Sequence, residues 1–269
     1  YNSIFNISSI DKKPAKKSPT PPFTTSTLQQ EASRKLGFGV TRTMSTAQKL
    51  YEAGLITYMR TDSVTISNEA KSSIVQNIES KYGEDYVNLR DYKNKNKSAQ
   101  EAHEAVRPTD INIEEITSDY DQQRLYHLIW KRTISSQMSD AQIERTVVNI
   151  KSDSYNEFFV ARGEVIKFDG FLRVYNEGTD DEIEEEKGVL PALSINENLN
   201  LLSISSRESF SRPPSRFTEA SLVKKLEELG IGRPATYATT ISTIQNRGYI
   251  AKGVNEGFDR NYNLLEFSK

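Results

Sequence analysis

The chain has 269 residues and a formal net charge of −2, with 35 basic and 37 acidic side chains, so any nucleic-acid-binding surface must be local. That length suits two or three domains, and the absence of cysteine excludes disulfide bonds and thiolate zinc sites. No apolar run approaches the roughly 18 residues that a membrane helix needs, and no signal peptide is visible, so we expect a cytoplasmic protein.

The first predicted elements are one strand and two helices. Residues 4–10 predict a strand, and the Pro/Lys-rich residues 12–19 predict a linker. A helix is expected after Pro22, with a cap among residues 24–26 and an end at Gly37.

A second helix is expected from near Ser45 to Gly54, and residues 28–54 resemble a helix-turn-helix. In that arrangement Gln48 could reach a nucleic-acid backbone. An ordinary helical hairpin fits the same spacing.

The next stretch joins a tyrosine to an arginine. Residues 55–59 predict a short strand, in which Tyr58 and Arg60 would point to the same face. A phenol is a poor nucleophile at neutral pH, but a nearby guanidinium favours the phenolate and binds phosphate oxygens. The pair therefore suits attack on a phosphodiester, although a core tyrosine beside a surface arginine would give the same pattern.

Beyond this stretch the pattern is helical and then changes to strands. A helix runs from Ser67 to Gly83, a polar loop covers 84–100, and another helix surrounds residues 125–130. His103 is close to Arg107 in the sequence and could hydrogen-bond a phosphate near neutral pH. We interpret His127 as a structural residue. Strands are predicted at residues 147–150, 158–161, 165–166, 171–174 and 199–204.

The last part, from residue 211, is predicted to be helical again. Helices after Thr218 and at 237–244 flank a break at 230–234, where a helix N-terminus and glycine amides suit phosphate binding. Basic residues outnumber acidic ones here. The acidic run 180–186 is expected to be solvated surface without a catalytic role.

Four stretches together resemble one known family, the bacterial type IA DNA topoisomerases. In chain order they are residues 22–30 (PFTTSTLQQ), 51–63 (YEAGLITYMRTDS), 100–108 (QEAHEAVRP) and 230–238 (GIGRPATYA). Any one of them could be chance, but four in the family's order over nearly the whole chain are highly specific. Because the chain begins at Tyr1, we expect it to be a piece of a larger protein.

The resemblance implies a function and a set of site residues. The enzyme would relax negatively supercoiled DNA by single-strand cleavage, with Tyr58 forming a 5′-phosphotyrosine link and with no need for ATP. Arg60 would bind the scissile phosphate, and His103 would assist. Supporting roles are implied for Glu52 and Arg107, and DNA contacts for Gln48, Gly232, Arg233 and Thr236.

The resemblance also implies an α+β multidomain architecture. Residues 1–20 and 143–210 would form a β-rich arch, 21–142 an inserted helical domain with the tyrosine, and 211–269 a helical DNA-binding segment. The family's metal-binding domain, which supplies the ligands for Mg²⁺, has no counterpart here. We therefore expect no metal ligands in this chain, no activity of the chain alone, a monomer, and single-stranded DNA in the bacterial nucleoid as its partner.

Other classes of protein remain open. A helix-turn-helix regulator would bind duplex DNA without using Tyr58, and a non-catalytic module would bind single strands only. A tyrosine recombinase or type IB enzyme would carry its tyrosine near the C-terminus, which does not fit this sequence.

Overall fold

The chain opens with a strand that is longer than the sequence predicts. In a computed structural model, which describes residues 3–93, 104–117, 119–178, 190–211, 213–253 and 257–268, strand β1 spans Phe5–Lys17. The linker prediction for 12–19 is therefore wrong up to Lys17. In the described ranges β1 has a second neighbour only at Phe5 and Asn6, so Pro14 lies on an open edge, where a missing N–H is tolerated.

Four strands form an antiparallel sheet in the order β3-β2-β1-β4. Strand β2 spans Ala141–Ser152, β3 spans Phe158–Phe168 and β4 spans Asn198–Leu199. Strands β1 and β2 pair along almost their whole length, although residues 18–140 separate them in the sequence. This region is therefore an insertion between two neighbouring strands.

Several predicted strands need correction. Residues 147–150 lie within β2 as predicted, but 158–161 and 165–166 are parts of the single strand β3. Residues 171–174 are not a strand, because Gly170–Arg173 forms a 3₁₀ turn. Gly170 has a φ of 50°, and a Cβ atom there would lie 2.4 Å from the carbonyl oxygen of Ser139. Only glycine fits this close approach.

The region predicted as one strand at 199–204 is divided between β4 and a fifth strand. Strand β5, Ser203–Arg207, pairs antiparallel with β6, Leu264–Ser268. The prediction of a helical segment from 211 onward missed β6. Strand β6 pairs with β5, which is distant in the sequence, so no short hairpin turn indicates β6.

Six α-helices occur in the described ranges: α1 Thr25–Leu36, α2 Val40–Glu52, α3 Asn68–Tyr82, α4 Tyr120–Ser136, α5 Glu219–Glu228 and α6 Tyr237–Asn246. The predicted ends at Gly37 and Gly83 and the cap at Ser67 are confirmed. The cap of α1 is Thr24, which forms a capping box with Thr27.

Helix α2 begins earlier than its sequence predicts, at Val40 and not near Ser45. Its N-cap, Gly39, has no side chain to cap the helix. Instead, the Glu219 carboxylate of α5 accepts a hydrogen bond of 2.7 Å from the N–H of Val40. A cap supplied from a distant helix leaves no local sequence signal.

Two apolar clusters hold these helices. The larger one lies among α1–α4 and buries the single tryptophan, Trp130, which is 1% exposed. The smaller one joins α2 to α5 and α6 through Val40, Val223, Tyr237 and Ile241. The helices that follow the sheet are thereby packed against the inserted region.

A buried polar contact ties α1 to the segment after β3. Glu31, 1% exposed, accepts hydrogen bonds from the Tyr175 hydroxyl at 2.6 Å and from Arg34 at 3.3 Å. Burial raises the pKa of the Tyr175 phenol, so this hydroxyl stays protonated and acts as the hydrogen-bond donor. None of the helices in the ranges given above combines the length and apolarity needed to cross a membrane.

Candidate active site

The segment that carries Tyr58 is not a strand, because residues 55, 57, 59 and 60 form bends, so the strand prediction for 55–59 is wrong. Ile56 alone forms a β-bridge, to Pro108. The carbonyl groups of Met59 and Thr61 accept hydrogen bonds from Thr25, at the start of α1, and not from a neighbouring strand.

The alternation of side chains expected from a strand nevertheless survives. Met59 and Thr61 are 1% and 2% exposed, whereas Tyr58 is 40% exposed and Arg60 is also exposed. The structure thus presents the phenol and the guanidinium to solvent, two residues apart. Within the described ranges no carboxylate pairs with Arg60, so its charge is available to an anion.

A second segment braces the tyrosine segment from the other side. The Thr57 hydroxyl donates to the carbonyl oxygen of Ala105 at 2.7 Å and accepts from the N–H of Arg107 at 3.0 Å. The N–H of Thr57 donates to the carbonyl oxygen of Arg107 at 2.9 Å. His103 itself lies outside the described residues, so its predicted role stays a prediction.

The side chain of Arg107 forms an ion pair within its own segment. Its guanidinium donates to Glu104 at 2.6 Å and to the carbonyl oxygen of Pro108 at 2.8 Å. Burial alone would raise the pKa of Glu104, but hydrogen bonds from Ser67 and Arg107 outweigh it, and the pKa is lowered. These contacts of Arg107 fix the 104–108 segment, and its supporting role in catalysis stays a prediction.

The end of α2 places further residues beside the phenol. The Tyr51 and Tyr58 rings meet edge to face, with centroids 5.2 Å apart, and Tyr51 is also 40% exposed. Gln48 donates a hydrogen bond of 2.7 Å to Glu52 one turn along the helix. The sequence gives no local signal for this contact between Tyr51 and Tyr58.

The predicted DNA-contact residues after α5 form a single turn. Gly232 has a φ of 82°, and a Cβ atom there would lie 3.2 Å from the Thr236 hydroxyl oxygen. That oxygen accepts from the N–H of Arg233 at 2.8 Å, and the Arg233 guanidinium donates to the carbonyl oxygen of Gly232 at 2.8 Å. Arg233 and Thr236 are both exposed.

Charged groups of this turn and of the tyrosine segment both influence the phenol of Tyr237. Burial raises the pKa of the Tyr237 phenol, the carboxylates of Glu227 and Asp62 raise it further, and Arg233 lowers it. Asp62 and Arg233 therefore act on the same phenol, and Asp62 is two residues from Arg60. The Ser26 hydroxyl of α1 also donates to Glu227 at 2.7 Å.

The described part of the chain offers no obvious metal site. No group of three or more His, Cys, Asp or Glu side chains in it is arranged to hold a metal ion. The acidic run 180–186 lies outside the described residues. The arrangement around Tyr58 brings an exposed phenol and an exposed guanidinium together, a pair of groups chemically suited to a phosphodiester.

Known proteins resemble this chain over most of its length. A family model described as DNA topoisomerase matches residues 2–258. The proteins named DNA topoisomerase 1 from Rickettsia felis and Rickettsia bellii are 49% identical over 263 residues and 51% identical over 264.

These alignments cover 92% and 91% of this chain but 34% and 32% of the two relatives. The chain thus spans about a third of the length of the curated relatives it matches. Among solved structures, full-length topoisomerase I from Thermotoga maritima matches 94% of this chain and 42% of its own, with a TM-score of 0.72 and 37% identity.

Proposed function

Because the chain belongs to the DNA topoisomerase family, we propose that it supplies the cleaving tyrosine and part of the DNA-binding surface of a type IA topoisomerase. The whole enzyme would relax negatively supercoiled DNA by cutting one strand, passing the other through the break and resealing it. The observation that carries this proposal is the exposed pair Tyr58 and Arg60, on a segment braced by hydrogen bonds on both sides.

The chemistry follows from these two side chains. The Tyr58 oxygen loses its proton and attacks the phosphorus of a phosphodiester, forming a tyrosine ester of the 5′ phosphate while the bond to the 3′ oxygen breaks. The leaving oxygen takes up a proton and becomes a 3′ hydroxyl. Arg60 binds the non-bridging oxygens as negative charge develops, and His103 assists by hydrogen bonding. One phosphoester replaces another, so resealing needs no ATP.

The remaining site residues hold the strand. Gly232, Arg233 and Thr236 contact phosphates at the turn before α6, and Gln48 contacts the backbone from α2, with Glu52 orienting it. The Gln48–Glu52 hydrogen bond and the exposure of Arg233 support these roles. Single-stranded DNA is bound in preference to duplex, with an affinity that falls as salt rises.

The proposal also covers the domain arrangement, the metal ion, the oligomeric state and the cellular location of the whole enzyme. The inserted helical region 21–142 acts as a domain carried by the β-rich arch, and residues 211–269 belong to the base of the gate. Mg²⁺ serves the whole enzyme from ligands outside this chain, as the resemblance to the family implies. The enzyme works as a monomer in the bacterial cytoplasm, at the nucleoid.

The test uses a matched pair of tyrosine variants in a full-length protein that includes this chain. Tyr58→Phe should abolish cleavage and relaxation while single-strand binding is retained. Tyr51→Phe, which keeps the neighbouring ring and its exposure, should still cleave. Relaxation by Tyr58→Phe would refute the proposal and leave the regulator and the single-strand-binding module as the alternatives. Magnesium-dependent relaxation by the isolated chain would contradict its expected inactivity.

A further inference from the structure

Thr25, the first residue of α1, lies directly behind the tyrosine segment. It is fully buried, and its hydroxyl oxygen lies 2.7 Å from the carbonyl oxygen of Met59 and 2.8 Å from the nitrogen of Thr61. Its own N–H donates to the carbonyl oxygen of Thr61 at 2.9 Å. One side chain thus bonds to the backbone on both sides of Arg60.

We propose that Thr25 is a positioning residue for cleavage, one that holds Arg60 and Tyr58 in place without touching DNA. A hydroxyl has one proton to donate and lone pairs to accept with. It donates along the short contact to the Met59 carbonyl and accepts from the Thr61 amide. These two backbone groups flank Arg60, so both must face α1, and the Arg60 side chain is directed away from α1 to the exposed side.

The bridge also orders the residues next to Arg60. Met59 and Thr61 are almost fully buried, so their backbone groups have little access to water if the hydroxyl is lost. The segment must then rotate to satisfy them, and the guanidinium and the phenol move with it. Displacements of about 1 Å cost catalytic groups roughly 100-fold in rate.

The position of Thr25 is set independently of the tyrosine segment. The next residue, Ser26, is 2% exposed and donates to Glu227 of α5. Thr24 caps the same helix end through its box with Thr27. The hydroxyl therefore projects from a fixed point, which is what a residue that aligns a neighbour requires.

This inference rests on the proposed function, and its test compares Thr25→Val with Thr25→Ser in the full-length protein. Valine has the shape of threonine without the hydroxyl. Its kcat for cleavage of a single-stranded oligonucleotide should fall roughly 10- to 100-fold, with KM changed less than about 2-fold, because positioning is lost and binding is kept. Thr25→Ser should restore kcat to within a few-fold of wild type. If Thr25→Val does not fold, Thr25→Ala replaces it.

Thr43→Val is the matched control. Thr43 is also a fully buried helical threonine, and its hydroxyl donates to the carbonyl oxygen of Gly39 at 3.1 Å. This variant removes one hydroxyl hydrogen bond where Thr25→Val removes two, so it should lower thermal stability somewhat less and leave kcat unchanged. Wild-type kcat in Thr25→Val, equal kcat in Thr25→Val and Thr25→Ser, or an equal loss in Thr43→Val would each overturn the inference.

The Tyr58→Phe variant separates the two possible failures. If Tyr58→Phe still forms the covalent adduct, the proposed function fails, whatever Thr25 does. If Tyr58→Phe is inactive and Thr25→Val is not impaired, only the positioning role fails.

Discussion

The carboxylate of Glu219 should stabilise the fold measurably, because it caps α2 from another helix. One of its oxygens accepts the N–H of Val40 at 2.7 Å, and the other accepts from Lys252 at 2.7 Å. Replacing it by alanine leaves the first turn of α2 without any side-chain cap, since Gly39 offers none. Glu219→Ala therefore removes a cap and a contact between α2 and α5 in one step.

The magnitude follows from these contacts. Loss of an N-cap costs about 0.5–2 kcal/mol, and a hydrogen bond to a charged group contributes about 1.5–3 kcal/mol. The Lys252 side chain is 70% exposed, so its ion pair adds little. We expect Glu219→Ala to lower the free energy of unfolding by about 1–2 kcal/mol, and Glu219→Gln, which keeps an acceptor oxygen, by about half of that.

The effect also depends on pH in a defined direction. Burial would raise the pKa of Glu219, but hydrogen bonds from Lys252 and from the Val40 backbone outweigh it, and the pKa is lowered. A lowered carboxylate pKa gives stability that is present above the unfolded value, about 4.3, and is lost as pH falls through the folded value. The difference between wild type and Glu219→Gln should therefore be full at pH 7 and shrink below about pH 4.

Urea unfolding of the purified chain measures this, with circular dichroism and the fluorescence of the buried Trp130 as probes. Glu228→Gln is the control, because its ion pair with Lys225 spans 3.4 Å between half-exposed side chains and should contribute almost nothing. A wild-type unfolding midpoint for Glu219→Ala, or an equal loss in Glu228→Gln, would refute the reasoning.

Three further predictions address the site and the fold. Arg60→Lys in the full-length protein should slow cleavage roughly 10- to 100-fold in single-turnover assays, because an ammonium lacks the planar fork; a wild-type rate would count against its role. Arg233→Ala should weaken single-strand binding by the chain and reduce the slope of log K against log salt by about 0.7–1, measured by fluorescence anisotropy; an unchanged slope would contradict the phosphate contact. Tyr175→Phe should lower the free energy of unfolding by about 1–3 kcal/mol in urea, because the buried Glu31 loses its 2.6 Å donor; an unaltered midpoint would contradict that.

The elements predicted correctly are those whose signals are local. Gly37 and Gly83 end their helices, and Ser67 starts α3, because caps are formed by neighbouring residues. The early start of α2 depends on Glu219, and the strand β6 depends on β5, both far away in the sequence. Contacts with such distant residues produce no local sequence pattern from which the element could be predicted.

In the candidate site, too, features set by neighbouring residues were predicted and features set by distant residues were not. Alternation along the chain predicted that Tyr58 and Arg60 share one side, and their exposure agrees with it, although the segment is not a strand. The hydrogen bonds with Thr25 that replace strand pairing involve the start of α1, which is distant in the sequence. Tyr51 was likewise missed, because its contact with Tyr58 arises only when the end of α2 folds back on the segment.

The central claim is that one phenolic oxygen becomes joined to DNA, and trapping the cleavage product tests it most directly. The full-length protein is denatured during cleavage of a labelled oligonucleotide, digested, and the DNA-linked peptide is identified by mass spectrometry. The account predicts that the 5′ phosphate is attached to Tyr58 and that Tyr51 is unmodified. A DNA link at any other residue would contradict it.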